Sequence, residues 1–277
     1  MRLKGVRHSR NVEDRRNTRG RSAGIGGVGV LIVLAIGYFA GIDVTPLLDD
    51  VAHPQPQTNT PLSAEERKAG EFSAAVLGTT EEVWSTVFAE QLGRQYTPPV
   101  LVLFSGVTQS PCGGANGATG PFYCPADRKA YLDTQFFATL SQQLGARGDF
   151  AAAYVIAHEV AHHVQNELGI LGQVHQARQQ ASTREANALT VRLELQADCF
   201  SGVWARAVDG LLDAGDIDEA LNAARKIGDD HLQKRAGRVP QPHTFTHGTS
   251  KQRASWFARG YDTGALQSCD TFAAKRL

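Results

Sequence analysis

The chain has 277 residues, with 28 basic and 28 acidic side chains, so its formal net charge at pH 7 is zero. This balance gives no support for a function in nucleic-acid binding, and we expect no nucleic-acid partner. The length allows one domain with a substantial core, besides shorter segments.

The chain begins with a basic segment that is followed by an uncharged one. Residues 1–21 contain eight Arg and Lys against two acidic residues, a net charge of +6, and residues 22–42 carry no charge. About 20 apolar residues span a bilayer as a helix. We therefore predict one transmembrane helix at 22–42 and a basic cytoplasmic tail at 1–21, which places the rest of the chain outside the cytoplasm. A cleaved signal peptide is the competing interpretation, but the basic region is long and no convincing small-x-small cleavage site follows.

Two glycines in the predicted transmembrane segment, Gly37 and Gly41, form a Gly-x-x-x-Gly pair. Such pairs allow close packing of two membrane helices. The pattern therefore permits self-association through the anchor, although small residues are common in membrane helices in any case.

Residues 43–61 are predicted to be a linker, and residues 62–277 the main domain. The linker contains Pro46, Pro54, Pro56 and Pro61 with Gln, Asn and Thr, and it has no apolar periodicity. The main domain contains no internal repeat and no low-complexity tract, which is consistent with a single folding unit.

The four cysteines all lie in the main domain, at Cys112, Cys124, Cys199 and Cys269. An even number of cysteines outside the cytoplasm predicts disulfides. Cys112 and Cys124 flank a glycine-rich loop and are the favoured pair, which leaves Cys199 with Cys269. Four unpaired thiols are the alternative. A four-cysteine zinc site is disfavoured because the chain has no Cys-x-x-Cys.

Periodicity and capping signals predict an α+β domain that is mostly helical with a small β-sheet. Four Ser/Thr/Asp-x-x-Glu/Gln capping boxes begin at Ser63, Ser182, Asp216 and Thr249. Thr80 is predicted to cap a second helix soon after the first. The predicted elements are helices at 63–78 and 80–92, strands at 100–104 and 130–133, and helices at 136–144, 149–168, 183–208, 217–227 and 251–259.

The helix predicted to begin at an Asp149 N-cap and to end at Gly169 carries the sequence His158-Glu159-Val-Ala-His162. Residues four apart lie on one helix face, so both imidazoles can point at one metal ion. Glu159 lies about 100° around the helix axis, where it can reach a water molecule instead of the metal. The motif therefore predicts a zinc site with His158 and His162 as ligands.

A chance occurrence on a polar helix face is the alternative interpretation. It is weakened because the motif lies on an apolar helix, beside Val155, Ile156 and Val160. Burying a Glu and two His on such a helix is costly unless something pairs with them, and zinc would do so.

A third protein ligand is expected from elsewhere, because a catalytic zinc usually takes three and keeps one position for water. Glu194 and Asp198 are four residues apart on the helix that follows Ser182. We predict that Glu194 is the third ligand and that Asp198 accepts a hydrogen bond from a ligating histidine. An ordinary solvated acidic helix face is the alternative for this pair taken alone.

These motifs resemble the gluzincin arrangement of metallopeptidases. More closely, the chain resembles the bacterial membrane-anchored family called putative neutral zinc metallopeptidases. The resemblance spans nearly the whole chain, and one small departure is Ala161, where a glycine is expected. The matching stretches are the basic start and anchor, SPCGGANGATGPFYCPADRKAYLD, AYVIAHEVAHHVQ, LELQADCFSGVWA and FTHGTSKQRASWF.

The resemblance implies a zincin-like domain that binds one Zn²⁺ per chain and hydrolyses a protein or peptide substrate, with Glu159 as general base. We thus expect an anchored zinc endopeptidase with its N-terminus in the cytoplasm and its catalytic domain outside. A catalytically silent zinc scaffold and a structural site closed by a fourth ligand are the alternatives. The presence of Glu159 argues against the scaffold.

His247 is predicted to stabilise the oxyanion that develops during amide hydrolysis, because it lies in a family-like stretch just before the helix capped by Thr249. A capping or turn role is the alternative, and His243, Tyr131 and Arg253 are the other candidate donors. Tyr131 also lies in a region that supplies an edge strand in zincins. His163 is expected to face away from the metal and to pack in the interior or on the surface.

Overall fold

A computed structural model describes residues 1–17, 61–116 and 120–277. The predicted transmembrane helix at 22–42, with its Gly37 and Gly41 pair, and all but the last residue of the predicted linker lie outside these ranges. None of the helices within them has the length and apolar character needed to cross a membrane.

The described chain is mostly helical with a small sheet, as the sequence predicted. The predicted helices at 136–144 and 251–259 differ from those observed, since the first ends in a π turn and the second continues to Thr263. The helices are α1 (Ala64–Leu92), α2 (Phe136–Ala138, followed by a π turn at Thr139–Gln143), α3 (Asp149–Glu167), α4 (Ile170–Gln179), α5 (Thr183–Ala207), α6 (Asp216–Lys226), α7 (Asp229–Arg235) and α8 (Ser250–Thr263).

The strands form one four-stranded sheet and one hairpin. In the sheet the order is β1-β2-β6-β5, where β2 is parallel to both of its neighbours and β5 is antiparallel to β6. The hairpin pairs β3 with β4. The strands are β1 (Val12–Asp14), β2 (Val100–Phe104), β3 (Val107–Ser110), β4 (Gly113–Asn116), β5 (Phe122–Cys124) and β6 (Lys129–Asp133).

The expectation that the region of Tyr131 supplies an edge strand is wrong. Tyr131 lies on β6, which pairs with β2 on one side and with β5 on the other. The edge on this side of the sheet is β5, because the chain turns back after Cys124 and inserts β6 between β5 and β2. A three-residue strand such as β5 carries too weak a pattern to be recognised locally.

Helix α1 is continuous over 29 residues, whereas two helices were predicted with Thr80 as the cap of the second. Thr79 and Thr80 are buried, and their hydroxyls donate to the carbonyls of Val76 and Leu77, three residues earlier. A threonine hydroxyl that is satisfied in this way does not end a helix. Gly78 is retained inside the helix for a packing reason described below.

Three of the four predicted capping boxes are present, at Ser63, Ser182 and Thr249. The fourth is absent, because α6 begins after Gly215 and Asp216 is its first helical residue. Glu219, the expected partner of Asp216, instead accepts a hydrogen bond from the backbone N–H of Phe150. Glu219 therefore makes a tertiary contact instead of the helix-capping contact that the local pattern predicted.

Both predicted disulfides are present. Cys112 is bonded to Cys124, and Cys199 on α5 is bonded to Cys269 near the C-terminus. The described residues include no free cysteine. The second bond closes a separation of 70 residues and therefore attaches the C-terminal segment to α5.

Helix α3 lies at the centre of the domain, where it contacts α1, α5 and α6 as well as strands β5 and β6. Helices α5 and α8 cross closely, because a Cβ on Gly202 would lie 2.0 Å from the carbonyl oxygen of Phe257 and one on Gly260 would lie 1.9 Å from that of Cys199. This crossing brings side chains of α8 towards the zinc motif on α3.

Residues 1–17 pack on this domain, and β1 extends its sheet. The cytoplasmic location of the basic tail at 1–21 stays a prediction. Its packing on the domain was not foreseen, since the basic side chains were interpreted as charges that flank a membrane helix, whereas Arg7 pairs with Glu81 and Glu82 of α1. Such a contact depends on residues more than 70 positions away, so no local pattern announces it.

Candidate metal centre

His158 and His162 on α3 and Glu194 on α5 converge on one point. One potential ligand atom of each lies within 4.8 Å of those of the other two. Glu194 Oε2 lies 3.1 Å from His158 Nε2, and its Oε1 lies 3.5 Å from His162 Nε2. The one-turn spacing on α3 aligns the histidines, and the packing of α5 against α3 brings up the carboxylate.

This donor set fits zinc. Two imidazole nitrogens and one carboxylate oxygen form a ligand set typical of catalytic zinc. His158 is buried, and His162 and Glu194 are each only 13% exposed. Groups of this kind are costly to bury together unless a cation or proton balances them. The described residues therefore provide a site that a zinc ion would complete.

Glu159 lies beside this triad and lines the same cleft as His158 and His162. Burial raises the pKa of the Glu159 carboxyl above its ordinary range, although both neighbouring histidines act in the opposite direction. Glu159 is not one of the three convergent groups, so its carboxylate would be available to act on a water molecule if the triad held a metal ion.

Asp198 contacts His158, the residue pair proposed from the sequence. Its Oδ1 lies 3.0 Å from Nδ1 of His158, which leaves Nε2 to face the metal position. Tyr154, one turn before His158, donates its hydroxyl to the same oxygen. Arg253 donates two hydrogen bonds of 2.9 Å, one to each oxygen of Asp198.

Tyr154 and the pairing of Arg253 with Asp198 were missed from the sequence. Tyr154 could have been found from its spacing, since it shares a helix face with His158. Arg253 was considered only as a donor to substrate, but it is 2% exposed and binds Asp198. Burial tends to raise the pKa of the Asp198 carboxyl, but the charge of Arg253 and the contact with His158 hold it below its ordinary range.

His162 is oriented in a different way, by neutral amides. Its Nδ1 lies 2.9 Å from Oε1 of Gln165. Nε2 of Gln165 donates to the carbonyl of Leu193 and to Oε1 of Gln196. Gln196 in turn donates to the carbonyl of Cys269. Because these acceptors fix the NH₂ group of Gln165, its oxygen faces His162. His162 would then carry its proton on Nδ1 and have Nε2 free to bind a metal ion held by the triad.

A cleft of about 850 Å³ lies over the triad. Pro121, Phe122 and Tyr123, at and just before the edge strand β5, form part of its lining. Leu193 and Ile227 contribute apolar surface from the helical side. The cleft therefore places the metal position next to an edge of the sheet.

His247 also lines this cleft and is about half exposed. Its Nδ1 lies 3.1 Å from the hydroxyl of Thr246 and 3.3 Å from Oδ1 of Asp229, so Nε2 is the ring nitrogen left for a substrate. Of the other candidate donors, Tyr131 donates to Asp127, and His243 lines a different pocket.

Asp229, at the start of α7, holds the loop that carries His247. Its Oδ2 accepts hydrogen bonds from the backbone N–H groups of Thr246, His247 and Gly248, at 2.8, 2.6 and 3.0 Å. Burial acts against its ionisation, but these contacts and the His247 ring lower the pKa of the Asp229 carboxyl. No pattern in the sequence around Asp229 indicates this role.

His163 packs in the interior of the domain. It is fully buried, with Nδ1 3.0 Å from the hydroxyl of Tyr123 and Nε2 2.7 Å from the carbonyl oxygen of Thr97. Its role is to join α3 to β5 and to the segment before β2.

Comparison with known proteins gives a consistent result over nearly the whole chain. A family profile described as "Putative neutral zinc metallopeptidase" matches residues 1–272. "Uncharacterized protein YpfJ" of Escherichia coli (strain K12) is 47% identical over 285 residues, which cover 98% of this chain and 99% of the relative. "Uncharacterized protein Rv2575" of Mycobacterium tuberculosis (strain H37Rv) is 45% identical over 195 residues, covering 66% of this chain and 65% of the relative. No solved structure matches significantly.

Proposed function

We propose, from the premise that this chain belongs to the putative neutral zinc metallopeptidase family, that it is a zinc-dependent endopeptidase. The observation that carries the proposal is the convergence of His158, His162 and Glu194 on one point, with Glu159 beside them in an open cleft. The family implies a protein or peptide as substrate and zinc as the metal.

Zinc held by this triad would lower the pKa of a bound water molecule and polarise the carbonyl of the scissile bond. Glu159 accepts the proton from the attacking water and later delivers it to the leaving amine. Asp198 and Gln165 engage Nδ1 of His158 and His162, so that Nε2 of each histidine would be the nitrogen that holds the zinc ion.

His247 supplies a hydrogen bond to the oxyanion that develops on the former carbonyl oxygen. Two features support this role: His247 lines the cleft, and its Nδ1 is engaged by Asp229 and Thr246. With Nδ1 held in this way, the ring has one preferred orientation.

The endopeptidase type is supported by the position of the edge strand. Within the described chain, β5 pairs with β6 on one side only, and residues at β5 line the cleft. An extended peptide that adds to such an edge has backbone on both sides of the scissile bond. The active site would therefore cleave within a chain instead of at its end.

The test compares Glu159→Gln with Glu194→Ala in the full chain. Glu159→Gln should abolish hydrolysis of an unfolded protein substrate while zinc remains at one ion per chain, because the amide cannot take a proton. Glu194→Ala should lose the metal as well. Glu90→Gln, on the exposed face of α1, is the matched control and should retain both activity and zinc.

Zinc content is measured by atomic absorption and hydrolysis by the release of new amino termini. If the unsubstituted protein binds zinc but cleaves none of a mixture of unfolded proteins, the endopeptidase proposal fails and a zinc scaffold takes its place. If Glu159→Gln loses zinc and Glu194→Ala keeps it, the two roles have been exchanged.

A further inference from the structure

We propose that residues 1–17 and the zinc centre lie in the same compartment, outside the cytoplasm, because the N-terminal segment is a docked part of the catalytic domain. The proposal does not depend on peptidase activity. It replaces the topology predicted from the sequence, in which the two parts lie on opposite sides of a membrane.

The first support is the pairing of β1 with β2. Val12 and Asp14 are the register partners of Leu101 and Leu103. The ladder continues at both ends, since Leu101 donates its N–H to the carbonyl of Asn11 at 2.8 Å and Arg15 donates to that of Leu103 at 2.7 Å. Paired strands lie about 5 Å apart, whereas the hydrocarbon core of a bilayer is about 30 Å thick.

The second support is the environment of Glu81 on α1, which is 6% exposed. Its carboxylate accepts hydrogen bonds from the guanidinium of Arg7, the hydroxyl of Ser9 and the side-chain amide of Asn11. All three donors belong to the N-terminal segment. A buried carboxylate is tolerated only where such donors satisfy it. Glu81 therefore depends on the docked N-terminal segment for its hydrogen bonds.

The third support is the shape of α1 beneath the segment. A Cβ on Gly78 would lie 2.2 Å from the carbonyl oxygen of Arg7 and 3.3 Å from the backbone nitrogen of Ser9. The same nitrogen of Ser9 donates to the carbonyl of Ala74 at 2.9 Å. The helix therefore has a glycine at a place where the backbone of the segment packs directly against it.

These contacts also change the meaning of the basic N-terminus. Arg7 pairs with Glu81 and Glu82 of α1, and Arg2 pairs with Asp213. The positive charge was taken to hold the N-terminus in the cytoplasm, but these two arginines are matched by carboxylates from outside the segment. Part of the basic charge is therefore explained by the folded domain and not by a membrane surface.

The topological consequence follows from where the chain leaves and re-enters the described structure. Arg16, next to the last described residue of the segment, donates to the carbonyl of Glu66 in the first turns of α1, so the chain leaves and re-enters the described structure at the same domain. A single crossing of a membrane between residues 17 and 61 would place β1 and β2 on opposite sides and prevent their pairing. The two disulfides select the side, because such bonds form and persist in oxidising compartments.

The experiment introduces one cysteine at a time into the full-length protein, whose four native cysteines are bonded in pairs. Lys4→Cys reports on the exposed surface of the N-terminal segment, and Val239→Cys reports on the zinc domain at a position that is 81% exposed. Intact spheroplasts that express each variant are treated with a membrane-impermeant maleimide, before and after permeabilisation.

Both cysteines should be labelled to the same extent before permeabilisation. Labelling of Val239→Cys before permeabilisation and of Lys4→Cys only afterwards would overturn the proposal and restore the single-crossing topology. Labelling of both only afterwards would overturn the assignment outside the cytoplasm. The unsubstituted protein is the control for unpaired native thiols, and it should remain unlabelled throughout.

Discussion

The zinc centre and the docked N-terminal segment both bury carboxylates, but they assemble the partners of these carboxylates in different ways. At the zinc centre, Glu194 and Asp198 are one turn apart on α5 and both contact His158 on α3. One-turn spacings on two helices therefore bring most of this centre together. The local pattern of the sequence is a reliable guide to such a site.

Where the N-terminal segment docks on α1, the carboxylate of Glu81 accepts hydrogen bonds from Arg7, Ser9 and Asn11. These residues are 74, 72 and 70 positions away in the chain. The donors themselves lie close together, but nothing in their spacing indicates which carboxylate they meet. The comparison teaches that buried charge is predictable when its partners share a helix turn and unpredictable when they arrive from another element. Arg253 shows that the zinc centre is partly of the second kind.

The largest effect is expected from a change at Asp198, which belongs to both kinds of contact. Asp198→Asn removes the charge that balances the buried Arg253, and an uncompensated buried charge costs about 3–5 kcal/mol of the free energy of unfolding. It should also weaken zinc binding about 10–100-fold, because His158 loses its carboxylate partner.

Gln165→Met is the matched change at the other histidine. It removes the hydrogen bond to His162 without leaving a charge unpaired, so zinc affinity should fall by a similar factor of about 10–100. The unfolding free energy should fall by only about 1–3 kcal/mol. Urea unfolding of the apo-protein and chelator competition measure the two quantities. Equal losses of unfolding free energy in both variants would contradict the distinction between His158, held by the charged Asp198, and His162, held by the neutral Gln165.

A loss of turnover should follow from His247→Ala, which tests the loop that α7 holds over the cleft. Removal of one oxyanion donor lowers turnover about 10²–10³-fold. Zinc content and melting temperature should stay near those of the unsubstituted protein, since the ring is about half exposed and the backbone contacts to Asp229 remain. His243→Ala, on the neighbouring turn but in a different pocket, is the control and should be nearly silent. Turnover that is unchanged by His247→Ala would give His247 a turn-forming role only.

The smallest effect is expected where the N-terminal segment packs on α1. Two glycines that both lie inside helices are compared. Gly78→Ala should destabilise the protein by about 1–3 kcal/mol, because the new methyl group meets the backbone of Arg7. Gly172→Ala should be neutral or stabilising by up to about 1 kcal/mol, because among the described residues no atom outside its own helix turn lies within 4 Å of the added Cβ, and alanine favours a helix.

Urea unfolding of both variants measures the difference. Similar stability changes at Gly78 and Gly172 would mean that the segment does not hold its place on α1 in solution. The contact of the N-terminal segment with Glu81 could then not be compared with the metal centre as a buried site.

Much of the zinc centre could be predicted from the sequence, because helical spacing determines which side chains share a face. The pairs His158 with His162 and Glu194 with Asp198 follow this rule, and the structure brings them together. The capping boxes at Ser63, Ser182 and Thr249 are equally local, since each is closed by a residue three positions later.

The rest was decided by the tertiary structure. Thr80 does not cap a helix, Asp216 does not form its box, and the sheet edge next to the cleft is β5. In each case a contact or a pairing between elements replaced what the local pattern favoured. The same holds for Arg253, which binds Asp198, and for the N-terminal segment. As a run of charges its basic side chains indicate the flank of a membrane helix, whereas in the structure Arg7 pairs with a carboxylate of α1. Periodicity describes one element at a time, whereas the free energy of a buried charge depends on the groups that several elements bring around it.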